Sequence, residues 1–273
     1  MKSYELMITI DELRRHMFSR ADETAFKPLT KDEINLLEKQ ITYYKQQGIF
    51  HICNGEEDAY KRLRTDHLNF TQTITAEMFR NASEQITRSI VRYCVSNMIN
   101  NVSEVTCIYP WRAALAFADA FYSEGIRSVY HVGASRNEET LETEIYFEQA
   151  PENDFKSHQC IIADPMLATG NTMVWMIEKL KSLGVNESSI CVVSLISAPE
   201  GVDHVLSKFP QCRVITGNHD HHLNENGFIV PGLGDFGDKY FEDFPLPNIE
   251  KWAEKGIINL EAKEALLDKL LKK

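Results

Sequence analysis

Residues 164–172, with the sequence DPMLATGNT, bring together a carboxylate, two hydroxyl groups and a glycine. The apolar run CIIA precedes them and the amphipathic stretch MVWMIEKLKSLG follows, which predicts a loop between a strand and the start of a helix. The first turn of a helix offers unpaired backbone N–H groups and the positive end of the helix dipole, so it favours a phosphate group. Ala168 and Gly170 leave the backbone accessible, and Thr169 and Thr172 supply hydroxyl donors.

Asp164 differs chemically from the rest of the loop, because its carboxylate repels a phosphate and accepts hydrogen bonds from hydroxyl groups. A sugar phosphate carries both kinds of group and would suit the loop as a whole. The alternative is a tight strand-to-helix turn that binds nothing. A phosphate loop of the ATP-binding type is excluded because the pattern G-x-x-x-x-G-K is missing.

Short apolar strands separated by helices surround this loop. The strand-like segments are VTCIYP, SVYHVGAS, CIIAD, ICVVSLIS and CRVITG, and helical segments such as RAALAFADAFYSEG lie between them. Fully apolar strands of this kind are typical of a parallel sheet with helices on both faces. Ligands of such sheets bind at the carboxyl ends of the strands, and residues 164–172 are predicted to lie at one of these ends.

Helical sequence precedes and follows this alternating part. Thr9 with Glu12 and Thr30 with Glu33 form two capping-box patterns, and residues 76–98 are predicted to form one long helix. Beyond residue 243, a proline-marked joint leads into further helical sequence.

The charge of the chain bears on its partners. Its 273 residues carry a net charge of −11, which argues against a nucleic-acid or anionic-membrane surface. No stretch approaches the roughly 20 apolar residues of a membrane span. The start MKSYELMITIDELRRHMF contains acids and arginines where a signal peptide has an apolar core, and six scattered cysteines suit reduced thiols. We therefore expect a cytoplasmic protein with neither nucleic-acid nor membrane partners.

The segment DPMLATGNT closely resembles the phosphoribosyl-diphosphate loop of uracil phosphoribosyltransferases. Three further segments resemble that family in the same order: YPWRAAL its diphosphate loop P-x-x-R-A-G, SRNEETLE its segment R-[DN]-E-E-T-L-E, and LNENGFIVPGLGDFGDKYF its uracil-binding segment. The stretch KRLRTDHLNFTQTITAEMFR is a weaker likeness to its first arm and helix. The resemblance covers residues 61 to 241.

This resemblance implies an α/β fold with a parallel-sheet, Rossmann-like phosphoribosyltransferase core over residues 61–242. Residues 1–60 would form an N-terminal helical extension, and residues 243–273 a C-terminal helical tail. The implied reaction makes UMP and diphosphate from uracil and 5-phospho-α-D-ribose 1-diphosphate, as in pyrimidine salvage. Mg²⁺ would be carried on the diphosphate, with no metal site belonging to the protein. The implied assembly is a homodimer or a higher homo-oligomer.

The resemblance also assigns roles to individual residues. Arg112 and Arg136 would act on the leaving diphosphate, where positioned cations stabilise the growing charge; surface salt bridging is the alternative role. Asp235 would serve both substrates and is the third catalytic candidate. The phosphoribosyl diphosphate would bind Asp164, Pro165, Met166, Leu167, Ala168, Thr169, Gly170, Asn171 and Thr172, and uracil would bind Ile229, Gly234, Asp235 and Phe236.

Two other patterns are rejected as sites. GLGDFG at residues 232–237 fits the dinucleotide pattern G-x-G-x-x-G, but DKYFEDFPLP follows it in place of a helix. These glycines instead suit close approach of the backbone to the acceptor–donor–acceptor edge of uracil, or a plain surface loop. HDHH at residues 219–222 looks like a metal cluster, yet no matching Cys or His pair lies elsewhere, so we expect a polar loop.

Three departures from the family bear on activity and assembly. Ala114 replaces the glycine of R-A-G, and Asn171 replaces a second glycine of the phosphate loop. The connection before TCIYPWR is too short for the β-hairpin arm of the family's dimer contact, so we expect the N-terminal helices to make that contact. The two substitutions leave open a non-catalytic or altered-specificity nucleotide-binding, regulatory relative of the same fold, whereas the retained uracil segment favours the enzyme.

Overall fold

The computed structural model describes residues 9–18, 29–68, 76–136, 143–152, 154–241, 253–254 and 263–264. Its centre is a seven-stranded sheet in the order β1-β7-β6-β5-β2-β3-β4. The strands are β1 (Phe50–Ile52), β2 (Val105–Trp111), β3 (Ser128–Arg136), β4 (Thr143–Gln149), β5 (Gln159–Leu167), β6 (Ile190–Ser197) and β7 (Arg213–His219). All neighbouring pairs run parallel except β3 and β4. The predicted α/β class with a largely parallel sheet is confirmed.

Helices cover both faces of this sheet. They are α1 (Ile10–Phe18), α2 (Lys31–Gln46), α3 (Glu57–Leu68), α4 (Ala76–Met98), α5 (Ala118–Ser123), α6 (Asn171–Ser182), α7 (Pro199–Lys208) and α8 (Phe236–Tyr240). Alternate residues of β6 enter opposite cores: Val193 packs on the face with α3 and α4, and Val192 packs on the face with α2, α6 and α7. Two-sided burial explains why β6 is apolar along its length.

The N-terminal residues join the sheet as well as flanking it. β1 pairs with β7, so this part of the predicted extension adds an edge strand to the main sheet. α2 begins at the predicted capping box, in which Thr30 and Glu33 exchange hydrogen bonds. Thr9 and Glu12 make the same exchange ahead of α1.

The segment after Arg112 differs from the prediction of a single helix. Residues Ala113–Phe117 form a 3-10 turn, and only then does α5 begin. The tighter turn lies between β5 and α4 and buries Ala114 and Phe117 completely, so packing against both elements fixes it.

The connection from α4 to β2 consists of residues 99–104, with a 3-10 turn at Val102–Glu104. No hairpin lies in this connection. Of the predicted C-terminal tail, only residues 253–254 and 263–264 lie within the described part, and both pairs are helical. None of the helices in the described ranges combines the length and the apolar character that a membrane span requires.

Candidate functional site

The carboxyl ends of β2 and β5 form the centre of the candidate site. These two strands are hydrogen-bonded neighbours. The chain continues from β2 to β3 on one side and from β5 to β6 on the other. The strand order therefore reverses between them, which opens a crevice where α/β sheets bind ligands. Arg112 follows β2 and residues 168–170 follow β5, so both predicted segments lie at this crevice.

Residues 164–172 are a strand end, a short loop and a helix start. Asp164, Pro165, Met166 and Leu167 belong to β5, whereas Asn171 and Thr172 open α6. The loop proper is Ala168, Thr169 and Gly170.

Gly170 adopts the left-handed conformation, with φ of +79°, directly before α6. Within the described residues, the backbone N–H groups of Gly170, Thr172 and Met173 have no hydrogen-bond partner, and that of Asn171 makes only a long contact of 3.5 Å with Thr169 Oγ1. These groups lie at the positive end of the helix dipole. Together they form a cradle for an anion.

Asp164 lies beside Ser194 of β6 and keeps partial exposure to solvent. Its Oδ1 accepts a hydrogen bond from the backbone N–H of Met166 at 3.2 Å. Burial among the strand ends raises the pKa of this carboxyl group to about 7, and the Met166 hydrogen bond offsets only part of that effect. A carboxylate that is difficult to keep charged gains from any ligand that donates hydroxyl hydrogen bonds to it.

Arg112 reaches from the end of β2 to the segment that contains α8. Its Nη2 donates to Asp238 Oδ1 at 3.3 Å, and its guanidinium lies 5.1 Å from the centre of the Phe241 ring. The side chain remains half exposed. Asp235 caps α8 by accepting from the backbone N–H of Asp238, and both Asp235 and Arg112 border Gly237. The structure thus brings Arg112 and Asp235 together.

The two substituted positions, Ala114 and Asn171, differ in their surroundings. Ala114 is fully buried in the core beneath the 3-10 turn, so its methyl group packs inside the protein. Asn171 is exposed at the first residue of α6.

Arg136 is the last residue of β3, but its side chain lies outside the described part of the chain, as do residues 137–142. Its predicted role, and that of the segment SRNEETLE, stay predictions.

The segment predicted to bind uracil presents backbone rather than side chains. The side chains of Ile229 and Phe236 are 2% and 1% exposed, and Phe236 packs against Phe79 with ring centres 5.3 Å apart. Gly234 has a φ of +75°. Because these two large side chains point into the core, backbone N–H and C=O groups can meet a base, next to the partly exposed side chain of Asp235. A short helix, α8, begins within GLGDFG at Phe236, which contradicts one reason for rejecting a dinucleotide site there.

Asp220 and Glu200 support this segment, and the sequence alone did not identify them. Asp220 Oδ2 accepts from the backbone N–H of Gly232 at 2.9 Å, while its Oδ1 pairs with Arg64 at 2.6 Å. Glu200 Oε1 accepts from the backbone N–H of Leu223 at 2.9 Å. The acid in HDHH was the available signal, but the motif was interpreted as a polar loop, and no partner was predicted for Asp220.

His219 of the same motif donates to or accepts from Ser197 Oγ through its Nδ1, at 2.8 Å. Burial lowers the pKa of His219 to about 3, so the ring is neutral. Across the described residues, no group of three or more His, Cys, Asp or Glu is arranged to hold a metal ion.

Comparison with known proteins gives a family match at this site. The family model described as Uracil phosphoribosyltransferase matches residues 101–242, which include both loops and the 229–236 segment. The uracil phosphoribosyltransferase of Nicotiana tabacum is 41% identical over 133 residues, 48% of this chain and 58% of that protein. The enzyme of Limosilactobacillus fermentum is 47% identical over 110 residues, 40% of this chain and 52% of that protein.

Among solved structures, the AQ2163 protein from Aquifex aeolicus is similar, with a TM-score of 0.59 and 29% identity over 70% of this chain and 97% of that one. The chain spans about half the length of the curated relatives that it matches. Residues 101–242, which the family model matches, contain the crevice between β2 and β5.

Proposed function

The chain belongs to the uracil phosphoribosyltransferase family, and on this premise we propose that it transfers the 5-phosphoribosyl group of 5-phospho-α-D-ribose 1-diphosphate to uracil. The products are UMP and diphosphate, and the role is pyrimidine salvage in the cytoplasm. One observation carries the proposal: an anion cradle, a carboxylate, an exposed arginine and a backbone-lined segment all border one crevice where the strand order reverses.

The cradle at the start of α6 is suited to the 5-phosphate of the sugar. The N–H groups of Gly170, Thr172 and Met173 are unpaired within the described residues and would each donate to a phosphate oxygen. Asp164 lies at the base of the cradle, where its carboxylate would accept from the ribose hydroxyls. The cradle would therefore bind the phosphate end of the sugar, and Asp164 would bind its hydroxyl groups.

In this proposal Arg112 acts at the opposite end of the substrate. The bond from C1 to the diphosphate oxygen breaks as the bond from C1 to N1 of uracil forms, the N1 proton passes to solvent, and negative charge grows on the leaving group. The Arg112 guanidinium is anchored by Asp238 and Phe241 yet half exposed, so it is positioned to stabilise that charge. Mg²⁺ is carried by the diphosphate, whose oxygens are the hard donors that it prefers. Arg136 would add a second cation.

Uracil would bind to the backbone of residues 229–236. Its edge presents an acceptor, a donor and an acceptor, which N–H, C=O and N–H groups match. Cytosine has an unprotonated N3 and an amino group there, so two contacts would be unpaired, at about 1–3 kcal/mol each. The buried methyl group of Ala114 supports a working enzyme over a regulatory relative.

The test is product formation by the purified chain. Incubated with phosphoribosyl diphosphate, Mg²⁺ and uracil, it should produce UMP that chromatography separates and mass spectrometry identifies. Asp164→Asn should produce much less. If no UMP forms although the protein is folded and binds ribose 5-phosphate, the regulatory alternative replaces the enzyme.

A further inference from the structure

The phosphate cradle lies directly on α7. A methyl group added to Gly201 would come within 2.3 Å of the backbone oxygen of Ala168, and one added to Gly170 within 2.9 Å of the backbone oxygen of Gly201. The two backbones are therefore in direct contact at this point, with no side chain between them. Because such a contact cannot be compressed, a displacement of α7 moves the loop.

His204 fastens the loop to α7 by a hydrogen bond. Its Nδ1 lies 2.9 Å from the backbone oxygen of Thr169. A carbonyl oxygen only accepts, so Nδ1 carries the proton and donates. The side chain is largely buried, and that burial lowers the pKa of His204, which favours the neutral ring.

This hydrogen bond sets the direction of an N–H group in the cradle. The peptide bond between Thr169 and Gly170 is trans, and the C=O and N–H of a trans peptide point in opposite directions. With the Thr169 carbonyl turned towards His204, the Gly170 N–H points away from α7. That N–H belongs to the cradle and has no partner among the described residues.

The residue before His204 fastens α7 to the N-terminal helices. Asp203 is completely buried, and Arg14 of α1 donates to both of its oxygens, from Nε at 2.9 Å and from Nη2 at 2.8 Å. Tyr44 of α2 donates to the same carboxylate at 2.8 Å. A bidentate pair with a buried carboxylate fixes geometry closely, because a buried charge without its partner is strongly unfavourable.

We propose that the N-terminal helices hold the phosphate cradle in its binding conformation through α7, with Asp203 as the contact to Arg14 and His204 as the contact to Thr169. Both are positioning residues that touch no substrate. This proposal rests on the proposed function, because it assigns α1 and α2 a role in binding phosphoribosyl diphosphate. The contacts through Asp203 and His204 are present in the protein without ligand.

The first measurement is hydrogen exchange, in the ligand-free protein, at the two hydrogen-bonded amides beside the cradle: Ala168, which donates to the Met166 oxygen at 3.0 Å, and Val174, which donates to the Gly170 oxygen at 2.9 Å. His204→Ala should speed exchange there, and His204→Asn should restore the native rate, because the Asn amide can donate from the place of Nδ1. Arg14→Ala should speed exchange at the same two amides, whereas Arg15→Ala, a change at an exposed neighbour on α1, should not. Because Arg14→Ala leaves Asp203 charged and buried, Arg14→Ala with Asp203→Asn is the variant to use if the single change does not fold.

The second measurement is steady-state kinetics of the same variants. The KM for phosphoribosyl diphosphate should rise about tenfold in His204→Ala, the scale of one lost hydrogen bond that orders the site. The KM for uracil should stay within about twofold, and His204→Asn should restore the first value. A role in folding alone would lower the active fraction and leave both KM values unchanged.

Unchanged exchange at Ala168 and Val174 in His204→Ala overturns the inference, as does equal exchange in the Arg14 and Arg15 variants. Absence of UMP from the native protein is a different result: it rejects the proposed function, and the exchange data still decide whether the helices order the cradle.

Discussion

The charge of Asp164 changes in the pH range in which the enzyme would be assayed, because burial raises its pKa to about 7. Ribose hydroxyls donate to the ionised form, and the ionised fraction increases with pH. We therefore expect the KM for phosphoribosyl diphosphate to fall by about tenfold between about pH 5.5 and about pH 8.5. Steady-state kinetics at saturating uracil measure this change.

Asp164→Asn is the matched control, because it keeps the shape and does not titrate. Its KM should exceed the native value at high pH and should lose the part of the slope that belongs to Asp164. The same pH dependence in both proteins would mean that the slope comes from the phosphates of the substrate, and the assignment of Asp164 would be wrong.

Arg112 provides the second prediction at the level of a residue. Arg112→Ala should lower kcat/KM by about 10²-fold, the scale for removing one preorganised donor to a charged transition state. Arg127→Ala is the control, since Arg127 is an exposed arginine before β3, at the opposite ends of the strands, and lies over Tyr122. A loss below threefold at Arg112 would place the stabilising charge elsewhere.

Candidate site residues that belong to a continuous motif could be predicted from the sequence. Residues whose hydrogen-bond partners lie on other elements could not. The sequence indicated Arg112 through the resemblance of YPWRAAL to the family's diphosphate loop, and residues 168–170 through their place between a strand and a helix. Asp220 and His204 were missed because their partners, Gly232 and Thr169, lie on other elements. Nothing in a linear pattern specifies which backbone group a buried acid or imidazole will meet.

At the level of elements, the close contact between α7 and the cradle predicts a steric effect. Gly201→Ala should push the loop away, because its methyl group would meet backbone at 2.3 Å. We expect kcat/KM for phosphoribosyl diphosphate to fall by about 10²-fold, the scale for a displacement of about 1 Å at a site. Gly55→Ala, where a methyl group meets no atom closer than 3.9 Å, should behave as native. Native kinetics in Gly201→Ala would show that α7 and the loop move independently.

Apolar runs predicted β2, β3, β5, β6 and β7 because buried parallel strands are apolar on both faces. β4 was not predicted because it is an edge strand with exposed residues, Tyr146 among them at 62% exposure. The 3-10 turn after Arg112 was also missed, since tertiary packing overrides the helical preference of RAALAFADAF.

For the molecule as a whole, the N-terminal helices α1 and α2 pack against each other within one chain. Leu37 of α2 is completely buried against Leu13 and Met17 of α1. Leu37→Ala should therefore lower the free energy of unfolding by about 2–5 kcal/mol, as for other buried leucines. Urea denaturation measures it, with Lys39→Ala on the exposed face of α2 as the control. Equal stability of the two variants would contradict the docking of α1 on α2.

This packing also bears on assembly. The apolar faces that predicted a dimer contact through the N-terminal helices are used within the chain, by Leu37 and Ile41 among others. A homodimer or a higher homo-oligomer stays a prediction, and light scattering of the native protein and of a chain lacking residues 1–48 would test which surface makes the contact.

Transfer of the phosphoribosyl group to uracil is tested by diphosphate release from phosphoribosyl diphosphate. The native chain is assayed with a series of bases, and kcat/KM is measured for each base. We expect release with uracil and at least about 30-fold less with cytosine, because two mismatched backbone contacts each cost about 1–3 kcal/mol. Adenine and hypoxanthine should support none. Comparable turnover of uracil and cytosine would contradict backbone recognition by residues 229–236, and release with no base at all would contradict a uracil phosphoribosyltransferase.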